Sequence, residues 1–444
     1  MTAPDRSRSL ADPSRRTFLK TAGAVGAAAG LEGVLAARRA PALAQGTRIH
    51  LLQWVDFIPE GDAEVRRQVA EYSKQANVEV VFETINANDL QARITAAIQS
   101  GSGPDIIMML HNWPHLYAGG LADVGDLCEW KAADQGGYYP HSEAAARLGK
   151  KWLALPYGTG APLIAYRRSW FADVGASQPP RTLEEYKKIG IALKAKGKPI
   201  GQTLGHTFGD APAWTYPFTW TFGGAETDPS GENILIDSKE TREALRFAKA
   251  LFDEGMTPEV FSWDDASDNR FLASGVGCWI HDAISAYRTT EDTNPDVFKN
   301  THIAMEPAGP GGKRVSTSAV NVYMIWKFSK YQPAAKEFLV HFMEEFKDGM
   351  VQSRGYNMPY LLGDAQKPMP IIGSDPKMQI LQDFPKLVAF YGYPGPFTTP
   401  IQEVVNLFVL PDMFTRVARG QSVDDVMKWG VGEYQRIFSK HKRA

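Results

Sequence analysis

The chain has 444 residues, 44% of them hydrophobic and 11% aromatic, with a formal net charge of −2. It is too long for one ordinary core and suits two lobes. Near-balanced charge gives nucleic acid and anionic lipid no electrostatic hold. Beyond the leader, no run reaches the ~20 apolar residues that a membrane helix needs.

In chain order, Ser14-Arg15-Arg16-Thr17-Phe18-Leu19-Lys20 comes first, then a weakly apolar run, Thr21 to Ala37, then the small-x-small triplet Ala42-Leu43-Ala44. That layout predicts a twin-arginine signal peptide over 1–44, sending the folded chain to the periplasm. No Cys sits at the cleavage site, so no membrane anchor is expected. Without the seven Lys/Arg and three Asp/Glu of the leader, the remainder carries −6.

Arg48 to Trp54 reads as a strand, 63–75 as a helix and Val78 to Phe82 as a β-branched strand. Asn88-Asp89 should cap a helix from Leu90 to Ser100, stopped by Gly101-Ser-Gly-Pro104. Asp105 to Leu110 is near-continuously apolar, as in a buried parallel strand. This alternation predicts a doubly wound α/β sheet, with ligands beyond the strands' carboxyl ends.

Gly and Pro around Trp152 to Gly160 suggest a connection between lobes, before a strand from Pro162 to Tyr166. Thr182-Leu-Glu-Glu185 is a capping box for a helix to about Lys196. Thr241 to Phe252 reads as a helix, and Arg270 to Ile280 as a turn and strand leading to His281-Asp282. Gly309-Pro-Gly-Gly312 is a linker, Val320 to Trp326 a strand and Gln332-Pro333 a helix start. The tail reads as two helices, Ile401 to Arg419 and Val423 to Phe438. Cys128 and Cys278 fall in different predicted lobes and are expected as packed thiols.

No nucleophile elbow, P-loop or zinc helix is present, and neither a cofactor nor a catalytic residue is expected. His111 and His115 are four apart, but Pro114 intervenes, so no metal is expected. The loops are rich in aromatics instead: Trp54, Trp113, Trp152, Tyr157, Trp214, Tyr216, Trp220, Trp279 and Tyr393, with Asp56, Asn112, His281 and Asp282 beside them. Flat rings stack on pyranose faces while polar groups bind hydroxyls at the edge.

Five segments then resemble the bacterial extracellular solute-binding proteins of ABC importers, in the sugar-binding branch that includes maltose-binding protein. They are Ala96 to Ile107 with its Gly103-Pro104-Asp105, Ala118 to Val124, Pro162 to Arg168, Gly175 to Tyr186 and Ala334 to Leu339. The usual Tyr-Asn-Lys reads Tyr166-Arg167-Arg168 here, and the usual helix-start Trp is Leu183.

The resemblance implies a two-lobe periplasmic binding protein-like α/β fold with a multi-strand hinge and a cleft between lobes. The first lobe would hold 45–157 and 312–355, the second 158–311 and 356–444. It implies a monomeric periplasmic receptor that closes on a sugar and delivers it to the transmembrane subunits of an ABC permease. By position, its contacts would be Trp54, Asp56, His111, Asn112 and Trp113 in the first lobe. In the second they would be Trp214, Tyr216, His281 and Asp282, with Tyr391, Tyr393 and Phe397 near the tail. Trp113 and Trp214 would face each other. The family's aromatic near Ser285 is absent. A polyol, a polyol phosphate or another small anion held by Arg167, Arg168, Arg288 and Arg354 is the alternative. A glycan-active exported enzyme is the reading from another class.

Overall fold

The structure, a computed structural model, describes residues 46–111, 113–365 and 370–442. The expected leader and Asn112 lie outside the described residues. The elements used below are, in chain order, β1 (Arg48–Trp54), α1 (Pro59–Ala76), β2 (Glu79–Ile85), α2 (Leu90–Ser100), β3 (Ile106–Leu110), β4 (Leu155–Gly160) and β5 (Leu163–Arg167). Then come α3 (Leu183–Lys194), β6 (Ile200–Gly201), α4 (Asp210–Thr221), α5 (Lys239–Gly255), α6 (Ser267–Ala273), β7 (Trp279–Asp282), α7 (Ile284–Thr293) and β8 (Thr301–Ala304). The chain finishes with β9 (Ala319–Ile325), α8 (Gln332–Glu344), α9 (Thr399–Asn406), α10 (Val409–Ala418) and α11 (Val423–Lys442).

Two sheets organise these elements. The first has the order β2-β1-β3-β9-β4, with β1 parallel to β2 and β3, and β9 antiparallel to β3 and β4. All five residues of β3 are buried, as a central strand covered on both faces requires. The second sheet has the order β8-β5-β7-β6. Each sheet has its own apolar core, with Cys128 buried in the first and Cys278 in the second, both free.

The chain crosses between sheets at Ala161-Pro162, again between β8 and β9, and again near Val388. The last two crossings run side by side: Ser316 pairs with Val388 in parallel, and Ala389 donates its N–H to the Ser316 carbonyl at 2.8 Å. This is the multi-strand hinge. The boundary expected at residue 356 needs correction, however. Met358, Tyr360, Leu361, Met378, Leu381 and Phe384 are buried in the first core, and the second core resumes at Tyr391.

Local chemistry explains most element ends. The Thr182 hydroxyl accepts the Glu185 N–H at 3.2 Å, opening α3. Ser238 does the same for α5 through Thr241 N–H at 3.0 Å, and α5 buries Thr241, Ala244, Leu245, Ala248, Leu251 and Gly255 along one stripe. Asp89 makes no side-chain cap; Asn86 caps the short turn ahead of α2 instead. Arg270 to Leu272 lie in α6 rather than in a turn. The first tail helix breaks at Phe408, which adopts a left-handed φ of 55° between α9 and α10.

Candidate interlobe binding cleft

The carboxyl ends of β1, β3, β4 and β7 converge where the two sheets face each other. Between them lies a cleft with about 680 Å³ of empty space, part of it open to solvent. The first sheet and its loops contribute Trp54, Phe57, Leu110, Asn321 and Tyr356; the second contributes Phe208, Asp210, Asp265, His281, Asp282 and Ser285. Apolar faces and hydrogen-bonding groups therefore meet across the two lobes, and the lining set contains no Lys or Arg.

The polar wall is built at helix starts. Asp265 accepts the backbone N–H groups of Gly209 and Asp210 at 3.2 and 2.9 Å, capping α4 from outside. Asp282 ends β7 and accepts the Ser285 hydroxyl at 2.9 Å and the Ala286 N–H at 3.2 Å, at the start of α7. Asp210, Asp268 and Asp282 bring carboxylate oxygens within 4.8 Å of one another. Burial, then the neighbouring carboxylates, holds Asp210 and Asp268 well above the usual carboxylate range. Burial pushes Asp282 up to about 6, opposed by its bond from Ser285. His281 is paired through Nε2 with Glu306.

Of the residues anticipated from sequence, the structure brings Trp54, His281 and Asp282 to the cleft wall. The others sit elsewhere. Asp56 turns back to accept the Ile58 N–H at 2.8 Å at the start of α1, and burial pushes its carboxyl up to about 7. His111 is sealed in an aromatic cluster between lobes, 4.9 Å from Tyr391 and within ring contact of Phe390 and Phe397. Burial, and to a lesser degree His141, lowers its pKa to about 3. Trp113 is fully buried, edge-on to Phe208 at 5.2 Å, one layer behind the wall.

Tyr157 stacks on Phe342 at 4.5 Å inside the first core. Trp214 packs against Phe218 and Phe414, and Tyr216 against Tyr391, inside the second core. Tyr393 lies beside Trp220 and takes a bond from Lys313 Nζ at 2.7 Å. Trp113 and Trp214 are thus packed rather than facing each other across the cleft. Burying a large apolar side chain is worth about 1.5–3 kcal/mol, which holds Tyr157, Trp214 and Tyr216 in the cores.

Sequence reading passed over Phe57, Phe208, Asp210, Asp265, Asn321 and Tyr356. Phe208-Gly209-Asp210 carried a usable signal, a Gly then an acid ahead of an aromatic segment. Asn321 was hidden inside an apolar strand, and Tyr356 lies in an irregular first-lobe segment with no periodic pattern. Of the four arginines raised for an anion, none lines the cleft, and two are already engaged by carboxylates. Arg354 pairs with Glu291 and, at 2.7 Å, with Asp292, while Arg288 pairs with Glu291 at 2.7 Å.

Comparison with known proteins bears on the family and the fold. The profile of the family described as bacterial extracellular solute-binding protein matches residues 58–345. That of the twin-arginine translocation signal matches residues 12–31, which marks the chain for export to the periplasm. A probable ABC transporter-binding protein of Deinococcus radiodurans is 25% identical over 237 residues, half of this chain and 55% of the relative. The match thus spans little more than half of that relative's length. The diacetylchitobiose binding protein DasA of Streptomyces coelicolor is 22% identical over 84% of this chain and 86% of its own. The solved structure of maltose-bound T. maritima MalE3 shares the fold, with a TM-score of 0.76 at 20% identity over 88% of this chain and all of that one. No described helix is long and apolar enough to cross a membrane. The chain belongs to the bacterial extracellular solute-binding protein family.

Proposed function

We propose that the protein is the periplasmic substrate-binding component of an ABC importer for a mono- or oligosaccharide. It captures the sugar by lobe closure and delivers it, as a monomer, to the transmembrane subunits of a permease. One observation carries this reading: the interlobe cleft sets the rings of Trp54, Phe57, Phe208 and Tyr356 beside fixed hydrogen-bonding groups on Asp210, His281, Asp282 and Asn321. Rings and polar edges in that combination suit a pyranose. The relatives named for maltose and diacetylchitobiose support the same class.

Thermal-shift screening and isothermal titration against a sugar panel test the reading. A sugar at a hundredfold its dissociation constant should stabilise the protein by about 2.7 kcal/mol. Binding of a phosphate or polyol phosphate in preference to every sugar would replace it. The anionic alternative is disfavoured because the cleft wall carries carboxylates and no Lys or Arg.

A further inference from the structure

We propose that the sugar taken by this cleft is cationic: a mono- or disaccharide bearing an ammonium group, held by Asp210 and Asp282 with its ring against the aromatic wall. This rests on the sugar-receptor reading above and narrows it. Three carboxylates face the cavity, from Asp210, Asp265 and Asp282, and a fourth, Asp268, stands behind them. Their compensation is uneven. Asp265 is occupied by the N–H groups that open α4, and Asp282 by Ser285 and the start of α7.

Asp210 has only the neighbouring carboxyls of Asp265 and Asp282 as side-chain partners. It is 7% exposed, and no donor reaches its Oδ2; Asp268 Oδ2, fully buried, is equally without one. Among themselves, carboxylates this close relieve one another only by sharing protons. A second observation comes from a different side chain. His281 lines the same cavity at 1% exposure, its Nε2 engaged by Glu306 and its Nδ1 without a partner.

Buried polar atoms in folded proteins are overwhelmingly paired. Orphaned acceptors on a ligand cavity therefore call for a donor from the ligand. A neutral hydroxyl would supply the donor but not the counter-charge that lets these buried carboxyls ionise. An ammonium supplies both, and its attraction is strongest where water is excluded. The remaining wall fits the same occupant. The faces of Trp54, Phe57, Phe208 and Tyr356 accept a sugar ring and favour an adjacent positive charge.

The test is isothermal titration of the mature protein with matched pairs: glucose and glucosamine, galactose and galactosamine, cellobiose and chitobiose. The amino member of the binding pair should bind about tenfold or more tightly than its neutral partner, the scale of one charge-assisted bond. Asp210→Asn, which keeps the shape but cannot ionise, should erase that preference. Should that variant fail to fold, the wild-type pairs decide alone. Equal or tighter binding of the neutral members overturns the proposal while the sugar-receptor reading stands. Failure of every sugar, charged or neutral, overturns both.

Discussion

Trp54 and Trp214 look alike in sequence, each an aromatic near a turn, yet they stand in different places. Trp54 is 5% exposed at the carboxyl end of β1 on the cleft wall. Trp214 is 4% exposed in the second core, between Phe218 and Phe414. Trp54→Ala should weaken sugar binding by about 1–3 kcal/mol, read by titration. Trp214→Ala should cost about 3–5 kcal/mol of folding stability through the cavity it leaves, read by denaturant unfolding. Equal affinity losses in both variants would show that the cleft is misplaced. The sequence marks such residues as aromatic but carries no local sign of whether they face the cleft or a core. That is why Tyr157, Trp214 and Tyr216 were grouped with Trp54.

Glu226 supports a second prediction at this scale. Its carboxyl has no solvent exposure and accepts the Gly392 N–H at 2.6 Å and the Tyr434 hydroxyl at 3.2 Å. Burial raises its pKa from 4.5 to about 8 against the pull of those two bonds. A folded-state value above the unfolded one means that the folded chain holds the proton more tightly. Its stabilising contribution is complete below pH 4.5 and lost as pH rises towards 8. Asp56, raised to about 7, and Asp282, raised to about 6, act in the same direction. Thermal unfolding of the wild type should therefore weaken from pH 5 to pH 8, and Glu226→Gln should flatten part of that slope. Parallel slopes for both proteins would mean that Glu226 is already ionised.

At the level of elements, legibility follows periodicity. β1, β3, α2 and α5 have apolar residues at sheet or helix spacing, and their bounds fall within a few residues of expectation. α4 has no such pattern, because all twelve of its residues are buried and it is rich in aromatics, Thr and Pro. A helix buried on every side shows no amphipathic stripe, so the element that delivers Asp210 to the cleft was invisible. Caps were legible where the side chain bonds the backbone nearby. Thr182→Ala should cost about 1 kcal/mol by removing the bond to Glu185 N–H, and Thr182→Ser should restore it. Urea unfolding of the three proteins measures this. No difference between Ala and wild type would show that tertiary packing alone starts α3.

For the whole molecule, the two-lobe plan could be expected from chain length, alternation and the family resemblance. The path of 356–390 could not, because it depends on which core collects Met358, Tyr360 and Met378 after the hinge is crossed. The arrangement has a mechanical consequence. Cleft walls come from both lobes, so only an approach of the lobes lets one sugar touch all of them, and binding should shift the population that way. Small-angle scattering should show a smaller radius of gyration with saturating sugar. Away from the cleft wall, Gln91 on α2 hydrogen-bonds to Asn406 on α9, joining the lobes by their amide side chains. Asn406→Ala removes that link without touching a lining residue. Losing one such bond is worth about 0.5–1.5 kcal/mol. If it favours the approached state, sugar affinity should fall about two- to tenfold, with the unliganded unfolding temperature almost unchanged. A radius indifferent to sugar, together with wild-type affinity in Asn406→Ala, would mean that capture proceeds without lobe movement.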